Sequence, residues 1–181
     1  VSVAYTLTVP EETHLGLNSV NGRIQVNGVS GVVDAMTTNG SVGLSGITGA
    51  VQAGTTNGGI EVSGITGVID VRTTNGKVYL SEIMGPIEAR ATNGSIEVAN
   101  SEISEQAHFI VARTTNGGIE VSLPRGLKAY LKASTDNGKI ESEFPVTVKG
   151  GMGKSVDGTI NGGGIMIRLE TSNGSIRLKE L

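Results

Sequence analysis

Residues 37–48 read Thr-Thr-Asn-Gly-Ser-Val-Gly-Leu-Ser-Gly-Ile-Thr, and 18 positions later residues 55–66 read Thr-Thr-Asn-Gly-Gly-Ile-Glu-Val-Ser-Gly-Ile-Thr. The Asn-Gly pair of this unit recurs along the chain, and its first five copies are spaced by 18 residues. The later gaps are 23, 21 and 36 residues, that is 18 plus five, 18 plus three and twice 18. A fixed period of this length is typical of repeat architectures. The asparagines of the pairs in register are Asn21, Asn39, Asn57, Asn75, Asn93, Asn116, Asn137 and Asn173.

Aliphatic residues occupy fixed places in each unit and alternate with polar residues. Ile60 and Val62 follow Asn57 by three and five positions, and Ile69 and Val71 follow it by twelve and fourteen. Alternation with period two indicates half-buried strands, so each unit holds two short strands and two corners. An antiparallel meander also alternates, but it does not return the same residue type to the same place in every unit. The sequence therefore predicts an all-β fold, a parallel β-solenoid with 18-residue coils.

The repeat also predicts how the chain is divided. With 181 residues the chain fits one domain, and we expect a single β-solenoid over residues 1–181. Regular coils are predicted from about 15 to 98, with insertions in 99–109 and 124–130. The columns fade over 143–164, which we interpret as an irregular excursion, and 165–181 is predicted to be the terminal coil. The alternating residues Val3, Tyr5, Leu7 and Val9 predict a strand that covers the N-terminal end of the stack.

The Asn-Gly pair is interpreted as a sharp corner. Glycine readily adopts a positive φ, so we expect a positive φ at Gly58 and Gly76. Stacked asparagine side chains can donate amide hydrogen bonds to one another along the column. The threonines that precede the pair, such as Thr55 and Thr56, could satisfy backbone groups of the corner.

Composition excludes several classes of function. The chain has no cysteine, which removes disulfides, thiolate metal sites and cysteine nucleophiles. The net charge of -3 is too weak to favour nucleic acid as a partner. No run of 18 apolar residues predicts a transmembrane segment. The two histidines, His14 and His108, lie far apart in the repeat, and we predict no catalytic residues, no cofactor and no metal.

The C-terminal run from Gly158 to Leu178, Gly-Thr-Ile-Asn-Gly-Gly-Gly-Ile-Met-Ile-Arg-Leu-Glu-Thr-Ser-Asn-Gly-Ser-Ile-Arg-Leu, resembles the ending of the bacterial "putative adhesin" family of unknown function. The recurring Thr-Thr-Asn-Gly-x-Ile-x-Val units are similar to that family as well, and the resemblance covers nearly the whole chain. It implies a single-stranded, right-handed parallel β-helix that is extracytoplasmic or at the cell surface. It carries no catalytic residues to transfer. The chain opens in the middle of the pattern at Val1, and we leave open that a signal or anchor precedes it.

Two columns of outward residues are the candidates for a ligand-binding face. One holds arginines that could contact an anionic glycan through bidentate hydrogen bonds, and the other holds carboxylates with one tyrosine that could stack on a sugar ring. The alternative for the arginine column is a ladder of surface ion pairs with a small effect on stability. The alternative for the second column is a solvated strand face. The candidate residues are Arg72, Arg90, Arg113, Tyr79, Glu97 and Glu120.

These observations favour a non-enzymatic binding or scaffold module, adhesin-like, with a glycan or a cell-surface protein as partner. A solenoid offers long flat faces without a deep cleft, which suits extended partners. Two alternatives stay open. One is a structural unit that assembles through its coil ends, and the other is a polysaccharide-acting enzyme that uses Glu97, Glu120 and Arg113. The oligomeric state and the ligand are not predicted.

Overall fold

The computed structural model describes residues 5–103, 109–148 and 153–181, and in them the chain folds as β-structure without helix. Each Asn-Gly corner joins two short strands, as the period-two alternation requires. The strands are β1 (Leu15–Asn21), β2 (Ile24–Ser30), β3 (Val33–Asn39), β4 (Val42–Thr48), β5 (Val51–Asn57), β6 (Ile60–Thr66), β7 (Ile69–Asn75), β8 (Val78–Met84), β9 (Ile87–Asn93), β10 (Ile96–Ala99), β11 (Phe109–Asn116), β12 (Ile119–Leu123), β13 (Ala129–Asn137), β14 (Ile140–Ser142), β15 (Val146–Val148), β16 (Ser155–Ile160), β17 (Ile165–Asn173) and β18 (Ile176–Glu180).

The strands form two sheets, and successive coils contribute one strand to each. The ten-stranded sheet has the order β1-β3-β5-β7-β9-β11-β17-β13-β16-β15, and the eight-stranded sheet has the order β14-β18-β12-β10-β8-β6-β4-β2. All pairs between β1 and β10 are parallel, and partners within them are 18 residues apart, such as Val33 with Val51. The prediction of an all-β fold with stacked parallel strands is confirmed.

A narrow aliphatic core lies between the two sheets. Ile60 and Val62 of the eight-stranded sheet and Ile69 and Val71 of the ten-stranded sheet are at most 1% exposed. Their copies in the inner coils are buried in the same way, whereas those of the end coils, Leu15, Leu17 and Ile140, are only partly buried. Burial of these side chains drives the folding of the repeat, because apolar area removed from water stabilises by roughly 25 cal/mol per Å².

The corner asparagines form the predicted ladder. The amide of Asn57 donates to the side-chain oxygen of Asn39 at 2.8 Å, and the same bond joins each neighbouring pair from Asn21 to Asn137. In six coils a threonine two positions before the corner asparagine faces inward, and its hydroxyl donates to a glycine carbonyl of the neighbouring coil. Thr73, for example, donates to Gly58 at 3.0 Å. The predicted asparagine ladder is confirmed, and the predicted backbone contact is confirmed for the first threonine of the pair.

The reason predicted for the corner glycines is wrong. Neither Gly58 nor Gly76 has a positive φ. A Cβ at Gly58 would instead lie 1.9 Å from the carbonyl oxygen of Gly40, and one at Gly76 would lie 1.9 Å from that of Gly58. Glycine is required there because the backbones of successive coils approach too closely for any side chain. Positive φ occurs instead at a bend inside the strands of the eight-stranded sheet, where Gly64 of β6 has a φ of 62° and Glu82 takes the equivalent place in β8 with a φ of 53°. It also occurs at the second corner, where Gly67 has a φ of 148°.

The last coils are not stacked in the order of the sequence. The coil of β17 and β18 lies between the β11–β12 coil and the β13–β14 coil, and it pairs in parallel with both. Residues 165–181 were predicted to be the terminal coil, and that prediction is wrong. The coil has the same spacing of inward positions and the same Asn-Gly corner as its neighbours, and these features do not reveal its place in the stack.

The irregular excursion predicted for 143–164 contains β15 and β16. These strands form an antiparallel pair, and β16 covers the outer edge of β13. Residues 104–108 of the first predicted insertion and 149–152 of the excursion lie outside the described residues. The covering strand predicted at the N-terminus is wrong within the described range: Tyr5, Leu7 and Val9 are exposed, and only a bridge between Glu12 and Ser30 joins this stretch to the stack. The single-domain organisation stays a prediction.

Candidate functional site

A long groove runs across the outer face of the ten-stranded sheet. Its volume is about 770 Å³, and it crosses seven strands from β3 to β13. Because neighbouring strands are about 4.8 Å apart, the groove extends for about 29 Å. One wall carries the arginine column Arg72, Arg90 and Arg113, and the other carries a column of threonines. The threonine column consists of Thr56, Thr74, Thr92 and Thr115, which are all exposed.

The arginine column belongs to a chain of ion pairs. Arg72 contacts Asp70 at 2.6 Å, and Asp70 also accepts from Arg90 at 3.4 Å. Arg90 contacts Glu88, which lies 3.8 Å from Arg113. The chain continues through Glu170 to Arg168, and the nitrogen–oxygen distances from Glu170 to Arg113 and Arg168 are 2.7 and 2.6 Å.

The charge of the ion-pair chain is largely balanced. Four guanidinium groups face three carboxylates, which leaves a net charge of about +1 by count. Each guanidinium has five N–H donors, and the pairs use only part of them. The arginines are 36–56% exposed along their side chains, so their remaining donors are accessible from the groove. A ligand can therefore accept hydrogen bonds from the arginines without a strong net field.

In this chain of ion pairs, the pKa values of two groups are shifted by their neighbours. Partial burial raises the pKa of the Glu170 carboxyl, but the hydrogen bonds and charges of Arg113 and Arg168 outweigh this effect and lower its pKa overall. The hydrogen bond and charge of Asp70 raise the pKa of Arg72. The guanidinium and carboxylate forms are thus stabilised together at neutral pH.

The two threonines before each Asn-Gly pair have different roles. Thr73 is buried at the corner, whereas Thr74 is exposed on the groove wall, because successive side chains of a strand point to opposite faces. Sequence analysis assigned both threonines to the corner and missed the second one as a possible ligand contact. The alternation along the strand was the signal that could have found it.

The six candidate residues lie on two different sheets. Arg72, Arg90 and Arg113 lie on the ten-stranded sheet, whereas Tyr79, Glu97 and Glu120 lie on β8, β10 and β12 of the eight-stranded sheet. The structure therefore brings them together as two groups of three.

The second group borders two smaller hollows. One, of about 380 Å³, opens where Gly43 has no side chain, and Tyr79 lies at its end. The ammonium of Lys77 lies 5.7 Å from the centre of the Tyr79 ring. The other hollow, of about 220 Å³, contains Glu97 and Glu120.

The carboxylates of the eight-stranded sheet are paired with cations. Lys77 contacts Glu97, and Lys179 contacts Glu120 at 2.7 Å. Arg177 lies between Glu120 and Glu141 in the stack and contacts Glu141 at 3.1 Å. The sequence placed Glu120 and Glu141 in adjacent coils, but the inserted β17–β18 coil separates them. The charge of Arg177 weakens the repulsion expected in a column of carboxylates.

The trio considered for an enzyme does not converge. Glu97 and Glu120 are register partners on the adjacent strands β10 and β12, while Arg113 lies on the other sheet. In residues 5–103, 109–148 and 153–181 no group of three or more His, Cys, Asp or Glu side chains is placed to hold a metal ion. Over the same ranges, no helix is long and apolar enough to cross a membrane.

The fold and the groove define a repeat protein in which stacked coils build extended outer faces. The chain belongs to the Toastrack DUF4097 family, whose model matches residues 3–179. Among solved structures, the chain is similar to one described as a "putative cell adhesion protein" from Clostridium sporogenes. The two share 14% identity with a TM-score of 0.36, over 94% of this chain and 93% of that one. No curated protein matches the chain significantly.

Proposed function

We propose that this protein is a non-enzymatic, extracytoplasmic binding module of the adhesin-like kind, and that the groove of the ten-stranded sheet holds an extended glycan. The observation that carries the proposal is the repetition of the same two groups along the groove. Each coil from β7 to β11 presents one guanidinium and one exposed threonine hydroxyl to it. A polymer with a regular repeat can contact equivalent groups in successive coils.

The chemistry of the walls favours a hydroxyl-rich chain over a strongly anionic one. The arginines already pair with Asp70, Glu88 and Glu170, so an anionic ligand would have to compete with these carboxylates. Hydroxyl groups of a glycan can accept from the remaining guanidinium donors and exchange hydrogen bonds with threonine hydroxyls. We also propose that the chain forms one domain and follows the single-stranded, right-handed course that the family resemblance implies.

A glycan array followed by calorimetry on the strongest hits tests the proposal. The double variant Thr74→Ala/Thr92→Ala removes two groove hydroxyls and leaves the buried Thr73 intact. We expect its affinity for the bound glycan to fall about tenfold or more, because two hydrogen bonds of roughly 0.5–1.5 kcal/mol each are lost. Thr66→Ala, an equally exposed threonine on the eight-stranded sheet, is the matched control and should bind like the original chain.

Two results would contradict the proposal. Binding that survives the double variant would place the ligand elsewhere on the molecule. Release of sugar products from a polysaccharide, abolished by Glu97→Gln or Glu120→Gln, would establish the enzyme alternative. Assembly through the C-terminal coil end has less support, because Leu178 is buried between neighbouring coils and β16 covers the outer edge of β13.

A further inference from the structure

Apolar side chains form a continuous stripe at the margin of the ten-stranded sheet, one from each coil between β3 and β13. All of them are exposed except the half-buried Pro86, and the β1 coil has His14 in this place. Strand register and backbone hydrogen bonds place them in one column. In spatial order the apolar stripe consists of Val32, Ala50, Val68, Pro86, Phe109, Met166 and Tyr130. Phe109, Met166 and Tyr130 are 40%, 48% and 49% exposed. Contiguous apolar surface of this kind marks an interaction site more often than scattered apolar residues do.

The apolar stripe changes in side-chain size along its length. Val32, Ala50 and Val68 form a low half, and Phe109, Met166 and Tyr130 form a high half. Pro86 lies between the halves. A surface whose low half matches its own high half is self-complementary when a second copy is turned end for end.

The charged residues beside the apolar stripe are acidic at the end of its low half and basic at the end of its high half. Near its first residue lie Asp34 on one flank and Glu12 on the other. Near its last residue, Lys132 lies in the same flanking column as Asp34, and Lys128 lies in the same flanking column as Glu12. The ammonium of Lys132 also lies 3.9 Å from the carboxylate of Asp157 on β16, and both side chains are mostly exposed. Consider a two-fold axis that lies in the plane of the contact and runs across the stripe. This axis reverses the stripe of the second copy, so the acidic end of each flank lies opposite the basic end of the same flank.

We infer that the apolar stripe is the contact surface for a second copy of this chain, packed antiparallel about a two-fold axis close to Pro86. In this arrangement Val32 faces Tyr130 of the other copy, Ala50 faces Met166, and Val68 faces Phe109. Apolar burial supplies the affinity, and the two charged flanks fix the antiparallel orientation. The groove lies on the far side of the flanking column of Asp34 and Lys132, so it stays open in the pair.

The first test is the oligomeric state of the full chain in solution. Sedimentation velocity and light scattering over a concentration series should show a dimer that dissociates on dilution. Ala50→Arg places a long charged side chain in the low half and should raise the dissociation constant at least tenfold. Val20→Arg is the matched control, because Val20 is 65% exposed but lies in the threonine column. It should leave the dimer unchanged.

Charge reversal tests the orientation separately. Asp34→Lys and Lys132→Asp should each weaken the dimer about three- to tenfold, and the double variant should restore most of the loss. A chain that stays monomeric at several hundred micromolar would overturn the inference. So would a dimer that tolerates Ala50→Arg. A dimer that weakens with each charge variant and is not rescued by their combination would refute the antiparallel packing. None of these readouts depends on a glycan, so the inference can fail while the proposed function holds.

Discussion

The coils formed by β1–β10 and those formed by β11–β18 follow the same sequence rules but differ in how they are assembled. In the first group each coil stacks on the one before it, and every partner lies 18 residues away. In the second group the β17–β18 coil is inserted between two coils that precede it in the sequence. The comparison teaches that a repeat defines how coils fit together but not which coil follows which. Any coil with the right columns can pack on any other.

The insertion determines part of the candidate site. Glu170 lies beside Arg113 because β17 pairs with β11, although the two residues are 57 positions apart. If the coils had followed the sequence, Ser134 would occupy that place and the ion-pair chain would end at Arg113. The local contacts of the first group are low in sequence separation, whereas the second group must close a long loop before its contacts form.

Removal of residues 165–181 should produce the largest difference between the two groups of coils. The deletion leaves β11 and β13 without their shared neighbour and removes the buried Ile167, Leu169 and Leu178. We expect amide protection to be lost over residues 109–142 and retained over 15–99, measured by hydrogen exchange with mass spectrometry. Retained protection over 109–142 would mean that the β13–β14 coil can stack directly on the β11–β12 coil.

Alanine at a corner glycine should destabilise both regions by a similar amount. A Cβ would lie 1.9 Å from Gly40 in Gly58→Ala and 1.9 Å from Gly117 in Gly174→Ala. We expect each to lower the free energy of unfolding by about 3 kcal/mol, because a coil must move away. Gly43→Ala is the control, because its Cβ would meet only Gln25 at 4.0 Å. It should change the free energy of unfolding by less than about 0.5 kcal/mol. A mild effect for Gly174→Ala alone would contradict the inserted position of its coil.

A threonine at position 91 should stabilise the regular region. Ala91 takes the place of the inward corner threonine and pairs in register with Thr73. A hydroxyl there can donate to the carbonyl of Gly76, as the other corner threonines do in their coils. We expect Ala91→Thr to raise the free energy of unfolding by about 1 kcal/mol, measured by urea denaturation. Ala91→Val keeps the shape without the hydroxyl, and an equal gain from it would exclude the hydrogen bond as the cause.

The smallest expected effect is the pH dependence that Glu170 contributes to the inserted coil. Its pKa is lower in the folded chain than in the unfolded one, for which about 4.3 is usual. Its contribution to stability is therefore complete above that value and is lost as the pH falls through the lower folded pKa. Glu170→Gln should lose less stability on acidification than the original chain, by under about 1 kcal/mol in thermal melts. Identical acid profiles would show that the ion pairs do not contribute.

Sequence reasoning predicted the coils, their strands and the direction of nearly every side chain in them. It did so because the period of two and the period of 18 are local properties, and the core columns, the Asn ladder and the corner threonines follow from them. It also found the arginine column. It missed the reason for Gly58, because the close approach of the backbones depends on a neighbouring coil. It also missed the outward role of Thr74, although the alternation along the strand indicates it.

The sequence by itself determined the coil: two short strands with one apolar, buried face, and corners marked by Asn-Gly. Only the tertiary structure decided the order of the last coils, since the β17–β18 and β13–β14 coils share the same spacing of inward positions and the same Asn-Gly corner. It also decided that Arg113 meets Glu170 and that Tyr79 and Arg72 lie on different sheets. The physical reason is that stacking energy depends on matching columns, which every coil has, whereas the order depends on where the connecting segments allow the chain to return.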